Sequence, residues 1–293
     1  MKNNKKIYAL GFFDGVHLGH QALLTEARRL AGLLGCAAGA VTFDIPPSAF
    51  LRNQAPNMNN TLPDRVALLR HFGMERVEVI PCNAERLSTP WQEFLEALVD
   101  RGAAGFVCGH DFRFGHRGEG NAHRLAAFAE IHRLPCTIIP EQLMDGARIS
   151  STAIRTLLEA GEMEKANRLL GHPHRLSGMV APGKQLGRTI GIPTANLALP
   201  PQLLKPAFGV YACKVLVEGN RYTAVTNIGV RPTVGGKGIT VESWLLDFED
   251  DLYGKELVLE FFQFLRPEKA FDSLDALKSA IQSDAKRAKE LLL

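Results

Sequence analysis

The chain has 293 residues, enough for two domains or one large one, with the 46% hydrophobic and 22% charged content of an ordinary globular protein. Its 34 basic and 31 acidic residues give a formal net charge of +3, too even a balance to call for a nucleic-acid partner. No run is apolar enough for a signal peptide or a membrane span, and Cys36, Cys82, Cys108, Cys136 and Cys213 stand singly; a cytoplasmic chain with buried thiols and no membrane partner is expected.

In the first half, short apolar runs at 7–13, 37–43, 77–80, 105–109 and 136–140 alternate with segments of helical spacing. After the first run, Leu23, Ala27, Leu30 and Leu34 share a helix face that Gly35 is placed to end. Thr89-Pro90-Trp91-Gln92 reads as a capping box with proline at the first helical position. This alternation predicts an α/β domain with a doubly wound parallel sheet, in which ligands bind at the carboxyl ends of the strands. Two helices ending at Gly161 and Gly171 close this half, and the change of rhythm at HPHRL puts a domain boundary between residues 171 and 172.

The first strand-to-helix junction is GFFDGVHLGHQ, residues 11–21. Helix N-terminal N–H groups lack intrahelical partners and the dipole there favours anions, so such a turn suits a phosphate. Gly11, Gly15 and Gly19 would let it approach the backbone, and His17 and His20 could donate to a triphosphate as pyrophosphate leaves. A capping histidine or a metal pair also fits this spacing, although no acidic or cysteine cluster nearby supplies further ligands. Later in the same half, RISSTAIR brings Arg148, Ser151, Thr152 and Arg155 to the start of a helix, a second place for phosphate. In GHDFRFG, Asp111 follows a strand and falls at its carboxyl mouth; of Phe112 and Phe114, one is expected in the core.

The second half changes to antiparallel signals. Two strand-like runs flank Glu218-Gly219-Asn220, and further strands are expected at 241–248 and 257–265. A helix follows from Ser273, with Leu274, Leu277 and Ile281 on one stripe, so a small antiparallel β-barrel with a terminal helix is predicted for 172–293. Within GKQLGRTIGIPTANL, Gly183, Gly187 and Gly191 permit close backbone approach to phosphate. Thr194 and Asn196 are two apart, so on an extended chain their oxygens could hold Mg²⁺ together with ATP; a turn set by Pro193 is the plainer alternative. Glu242 alternates with Trp244, Leu246 and Phe248 and suits a general base in a partly apolar cleft, unless Val241 and Leu245 face the core instead.

GFFDGVHLGHQ, GHDFRFG and RISSTAIR, in this order, resemble the adenylyltransferase module of the bacterial bifunctional riboflavin kinase/FAD synthetases, one of the HxGH nucleotidyltransferases. PTAN, TNIGVRPT, VESWLLDFEDDLYG and LRPEKAF resemble the kinase module of the same family, so the likeness spans almost the whole chain. It implies that residues 1–171 transfer AMP from ATP to FMN, with release of pyrophosphate, and that 172–293 phosphorylate riboflavin. Gly11, Asp14, Gly15, Gly19, Asp111, Arg148, Ser151, Thr152 and Arg155 would then join the histidines in binding ATP or flavin. Gly183, Gly187, Thr194 and Asn196 would handle Mg-ATP in the kinase, where Glu242 activates the ribityl hydroxyl. Two departures stand out: FDIPP replaces the family's Phe-Asp/Glu-Pro-His-Pro, and Trp244 replaces a frequent histidine. Rival readings keep one activity only, or make the chain a flavin- or RNA-binding regulator. A tRNA-ligase relative is disfavoured because no anticodon-binding region is apparent.

Overall fold

A computed structural model describes residues 4–182, 191–233 and 236–292, with side chains outside 231–238. Contacts divide the chain into two compact units, Met1–Pro56 with Leu62–Ser151, and Asn57–Thr61 with Thr152–Leu293.

The first unit runs β1 (Lys6–Leu10), α1 (Leu18–Leu34), β2 (Ala37–Phe43), α2 (Pro47–Leu51), α3 (Leu62–His71), β3 (Arg76–Ile80), α4 (Ala84–Ser88) and α5 (Trp91–Asp100). It continues with β4 (Ala103–Gly109), the short pair β5 (Arg113–Phe114) and β6 (Gly120–Asn121), α6 (Ala122–Ile131), β7 (Cys136–Ile139), and the pair β8 (Leu143–Met144) and β9 (Ala147–Arg148). All five expected apolar runs are strands of one parallel sheet ordered β3-β2-β1-β4-β7. The chain winds outward from β1 through β2 to β3, then restarts on the other side with β4. The crevice at the β1/β4 reversal is where such sheets bind ligands.

Both faces are covered, as a parallel sheet requires. On one, Ile7, Ala9, Ala38 and Ala40 pack with Leu23, Leu24 and Ala27 of α1 and Leu68 and Leu69 of α3. On the other, Tyr8, Leu10, Val41 and Phe106 pack with Leu95 and Leu98 of α5 and Leu125 and Phe128 of α6. The α1 stripe is rotated from the expected one: Leu24 and Ala31 are buried while Leu34 is 51% exposed. The capping box before α5 does not form. Thr89 instead ends α4, its hydroxyl donating to Glu85 O at 3.3 Å, and Pro90 caps α5 without a side-chain bond.

The second unit holds α7 (Ser151–Glu159), α8 (Met163–Leu170), β10 (His174–Met179), β11 (Ala195–Ala198), β12 (Gly209–Val217), β13 (Asn220–Thr233), β14 (Gly236–Leu245), β15 (Glu256–Pro267) and α9 (Leu274–Leu292). The strands form an antiparallel sheet ordered β10-β15-β12-β13-β14-β11. An isolated bridge between Ala181 and Asn196 brings the end of β10 to β11, so the two outer strands meet and the sheet curls into a barrel. The two-residue turn between β12 and β13 has positive φ at Glu218 (49°) and Gly219 (83°), the backbone of a type I′ hairpin.

The boundary expected at 171/172 groups α7 and α8 with the first half, whereas their contacts group them with the barrel. Ala207 N–H donates to Leu158 O at 3.0 Å, and Asn167 Nδ2 donates to Phe261 O at 2.8 Å. In α9 the buried residues are Asp284, Ala285 and Ala288, and the Leu274–Ile281 stripe is not the packed face, Leu274 being 55% exposed. Small residues let the later part of this helix lie close to β12 and β13.

Candidate active sites

The β1–α1 turn is built under strain. Phe13 (φ 58°) and Val16 (φ 41°) both adopt left-handed backbone, rare for an aromatic and more so for a β-branched residue, and Gly15 sits between them at 82°. Complete burial of both side chains pins the conformation. The turn delivers His17 to the N-cap of α1, where its Nδ1 accepts from His20 N–H at 3.3 Å. The two imidazoles stack, and the Phe13 ring meets His20 edge-on at 5.3 Å. His20 Nδ1 is buried without a hydrogen-bond partner. Burial first, then His17 and Arg65, hold the His20 pKa well below 6.5, so the ring is neutral near pH 7.

A cavity of about 410 Å³ opens at the carboxyl ends of the strands. Of the residues singled out in the sequence, Gly11, His17, Gly19, His20, Asp111, Arg148 and Ser151 border it. Its apolar lining includes Phe12, Val41, Phe43, Pro47, Phe94 and Phe112. The paired phenylalanines therefore divide: Phe114 is core at 5% exposure, and Phe112 faces the cavity. Arg148 bridges two carboxylates, Asp111 at 2.5 Å and Glu141 at 3.1 Å. The Ser151 hydroxyl donates to Asp14 O at 2.8 Å, a bond within the first unit.

Asp14, Gly15, Thr152 and Arg155 are not among the lining residues. Asp14 is buried at 4% exposure, Gly15 serves the turn, and Arg155 Nη2 donates to Thr152 Oγ1 at 2.9 Å. Thr152 and Arg155 group with the second unit. Gly11 and Gly19 also have a steric reason to lack a side chain. A Cβ at Gly11 would meet the Phe13 ring, and one at Gly19 the His17 ring, each at 3.1 Å. Sequence reasoning missed Phe94, Glu141 and Arg65. Only Arg65 left a signal, a cation one turn before Leu68 and Leu69 on the core face of α3.

In the barrel, three polar residues align across neighbouring strands. Glu242 on β14 lies directly opposite Asn196 on β11 and Asn227 on β13. Cross-strand partners share a sheet face, so these side chains project together. The core takes the alternate set, Val241, Ser243 and Leu245, which leaves Glu242 half-buried beside Trp244. Thr194 precedes β11 and borders a hollow of about 340 Å³ with Val180, Ala195, Leu245, Phe248 and Tyr253. Asn196 Nδ2 donates to Thr194 O at 3.3 Å. A further hollow of about 570 Å³ lies between Trp244, Leu246 and the α9 residues Gln282, Ala285, Lys286 and Lys289. Gly183 and Gly187 lie outside the described residues. Among the described residues no cluster of three or more His, Cys, Asp or Glu is arranged to hold a metal.

A parallel sheet whose cavity of about 410 Å³ is bordered by two histidines, followed by a barrel in which a carboxylate lies between two amides, is the two-site architecture of a bifunctional transferase. The FAD synthetase family model matches residues 1–153, and the riboflavin kinase model matches 170–292. The bifunctional riboflavin kinase/FMN adenylyltransferase of Listeria monocytogenes is 36% identical over 95% of this chain and 90% of its own. That of Pseudomonas fluorescens is 38% identical over 97% and 92%. A crystal structure from Streptococcus pneumoniae, described as a macrolide-efflux protein, superposes with a TM-score of 0.86 at 29% identity, covering 99% of this chain and 97% of that one. The chain belongs to the bifunctional riboflavin kinase/FMN adenylyltransferase family. With both family models matched, a single-activity chain or a non-catalytic regulator is not favoured. No helix among the described residues is long and apolar enough to cross a membrane.

Proposed function

We propose that the chain makes FAD from riboflavin in two ATP-dependent steps, the barrel forming FMN and the α/β unit adenylylating it. The observation that carries the reading is the convergence of Gly11, His17, Gly19, His20, Asp111, Arg148 and Ser151, from three distant stretches of sequence, on one cavity. In adenylyl transfer an oxygen of the FMN phosphate attacks the α-phosphorus of ATP; the bond to the bridging oxygen breaks and pyrophosphate leaves. His17, His20 and the N-terminus of α1 meet the charge that builds on the departing phosphates. Arg148 is placed to do the same and trades a carboxylate for a phosphate oxygen as ATP enters. Phe12, Phe94 and Phe112 offer flat apolar surface to the flavin ring.

In the kinase step the ribityl hydroxyl attacks the γ-phosphorus and ADP leaves. Glu242 takes the hydroxyl proton, positioned by its register with Asn196 and Asn227. Thr194 and Asn196 carry the oxygens that would hold Mg²⁺ together with ATP, and the ion when bound would neutralise phosphate charge. The functional division in this reading is 1–171 and 172–293, supported by matches to 1–153 and 170–292 that fall on either side of it apart from residues 170 and 171. A cytoplasmic location, where ATP is supplied, completes the reading.

The test is to supply riboflavin or FMN with ATP and Mg²⁺ and separate the flavins by chromatography over time. Parent enzyme should form FMN and then FAD. Glu242→Gln should fail to phosphorylate riboflavin yet still convert added FMN to FAD, and His20→Ala should make FMN but no FAD; the opposite pattern would refute the assignment of sites.

A further inference from the structure

Arg65 is a cation in a place built for an apolar residue. Its side chain is 0% exposed, one turn before Leu68 and Leu69 in α3. Nη2 donates to Phe43 O at 2.6 Å and Asp44 O at 2.9 Å, the carbonyls where β2 ends. The guanidinium carbon stands 4.1 Å from the centre of the Phe12 ring, which follows β1. Phe12 and Phe43 both line the 410 Å³ cavity. Nε and Nη1 are buried with no hydrogen-bond partner.

A buried cation with unused donors is expensive, and an apolar residue of similar size would hold the same elements together at lower cost. Retaining the charge therefore calls for a use at the site it adjoins. We propose that Arg65 is a positioning residue for adenylyl transfer: it fixes the Phe12 ring and the Phe43–Asp44 strand end in the cavity wall, and supplies the His17–His20 pair with a permanent, water-excluded positive charge. The proposal rests on reading that cavity as the ATP and FMN site.

The charged groups around this centre are few. His17, from the same turn, and Arg65, from α3, act on His20; Asp14 and Asp44 act on Arg65. Burial pulls the Arg65 pKa down to about 10 and the two carboxylates pull it back up, so it stays a cation throughout the working range. A charge fixed before the substrate arrives needs no reorganisation as negative charge moves to the pyrophosphate. It also opposes protonation of His20, preserving the neutral ring.

The experiment measures FAD formation from FMN, ATP and Mg²⁺ across acid to neutral pH in full-length Arg65→Met, Arg65→Lys, His20→Ala and parent. Riboflavin phosphorylation is followed in the same preparations, and folding by circular dichroism. Arg65→Met should lower kcat for FAD about tenfold or more, and the acid limb of its profile should move to higher pH because His20 protonates more easily. Arg65→Lys should keep the acid limb in place and raise KM for FMN, since an ammonium can still donate to the two carbonyls but has no flat guanidinium to hold the Phe12 ring. A folded Arg65→Met with parental kcat and an unmoved limb would overturn the proposal. So would loss of the first unit's fold in both variants, which would assign Arg65 to folding alone. His20→Ala making FAD at the parental rate would remove the site reading and this inference together. An inactive His20→Ala beside parental Arg65 variants would remove the inference only.

Discussion

His17 and His20 stack with ring centroids 3.6 Å apart and planes 15° from parallel. The arrangement is held from below by the His17 N-cap bond and from the side by Phe13. Because Gly19 has no side chain, the His17 ring can lie where a Cβ would otherwise be 3.1 Å away.

Gly19→Ala should therefore displace the His17 ring and loosen the cap. FAD formation is expected to fall about tenfold, roughly the effect of a small misplacement of a catalytic group. Stability should fall by about 1 kcal/mol, the usual worth of an N-cap. Steady-state kinetics and a urea titration of the same sample check both, and riboflavin phosphorylation should be unchanged.

Asn227→Ala should impair the kinase without abolishing it. Asn227 is opposite Glu242 and its Nδ2 donates to Glu268 Oε1 at 3.3 Å, so it orders the carboxylate's surroundings. A loss of about ten- to a hundredfold in FMN formation is expected, with adenylylation of added FMN intact. An equal loss in both reactions would instead point to a general folding defect.

His174 makes the second unit sensitive to acid. The ring is 5% exposed, its Nδ1 is buried without a partner, and burial with His172 nearby lowers its pKa to about 4. A histidine depressed on folding stabilises the fold fully above its unfolded value of about 6.5, and that contribution is lost as pH falls towards 4. Denaturation of the parent should show a decline on the order of 3 kcal/mol across this window. His174→Phe should flatten it; an unchanged slope in that variant would exclude His174 as the source.

Asp284→Ala should destabilise the barrel by about 2–4 kcal/mol. Asp284 accepts from Arg266 Nε at 3.1 and 3.0 Å and from Nη2 at 2.8 Å, joining α9 to β15. Removing the carboxylate strands a mostly covered guanidinium. Thermal melts should show the loss, and Arg266→Met combined with Asp284→Leu should recover part of it.

Apolar periodicity made the sheet strands legible, because a strand buried on both faces must be apolar along its length. It also ended α1, α7 and α8 near their glycines. Phosphate chemistry drew attention to His17, His20, Asp111, Arg148 and Ser151, which converge on one cavity. What escaped was set by long-range packing. Nothing local tells that Thr89 finishes one helix instead of starting the next. Alternation alone does not choose between the faces of β14; the bond of Ser243 to Thr226 at 2.9 Å in the core does, and it sends Glu242 outward. Arg65 left only the oddity of a cation on an apolar face, because its partners, backbone carbonyls and a ring face, carry no sequence signature.

The five residues Asn57–Thr61 group with the barrel although the chain around them builds the parallel sheet. Met58 N–H donates to Gln202 O at 3.0 Å, and Leu204 N–H donates to Met58 O at 2.9 Å. This gives synthesis an order of events. The strands on either side of the excursion can pair as they emerge, whereas Met58 has nothing to bind until Leu204 has been made. A cut at residue 171 would leave Met58 without either of these backbone partners.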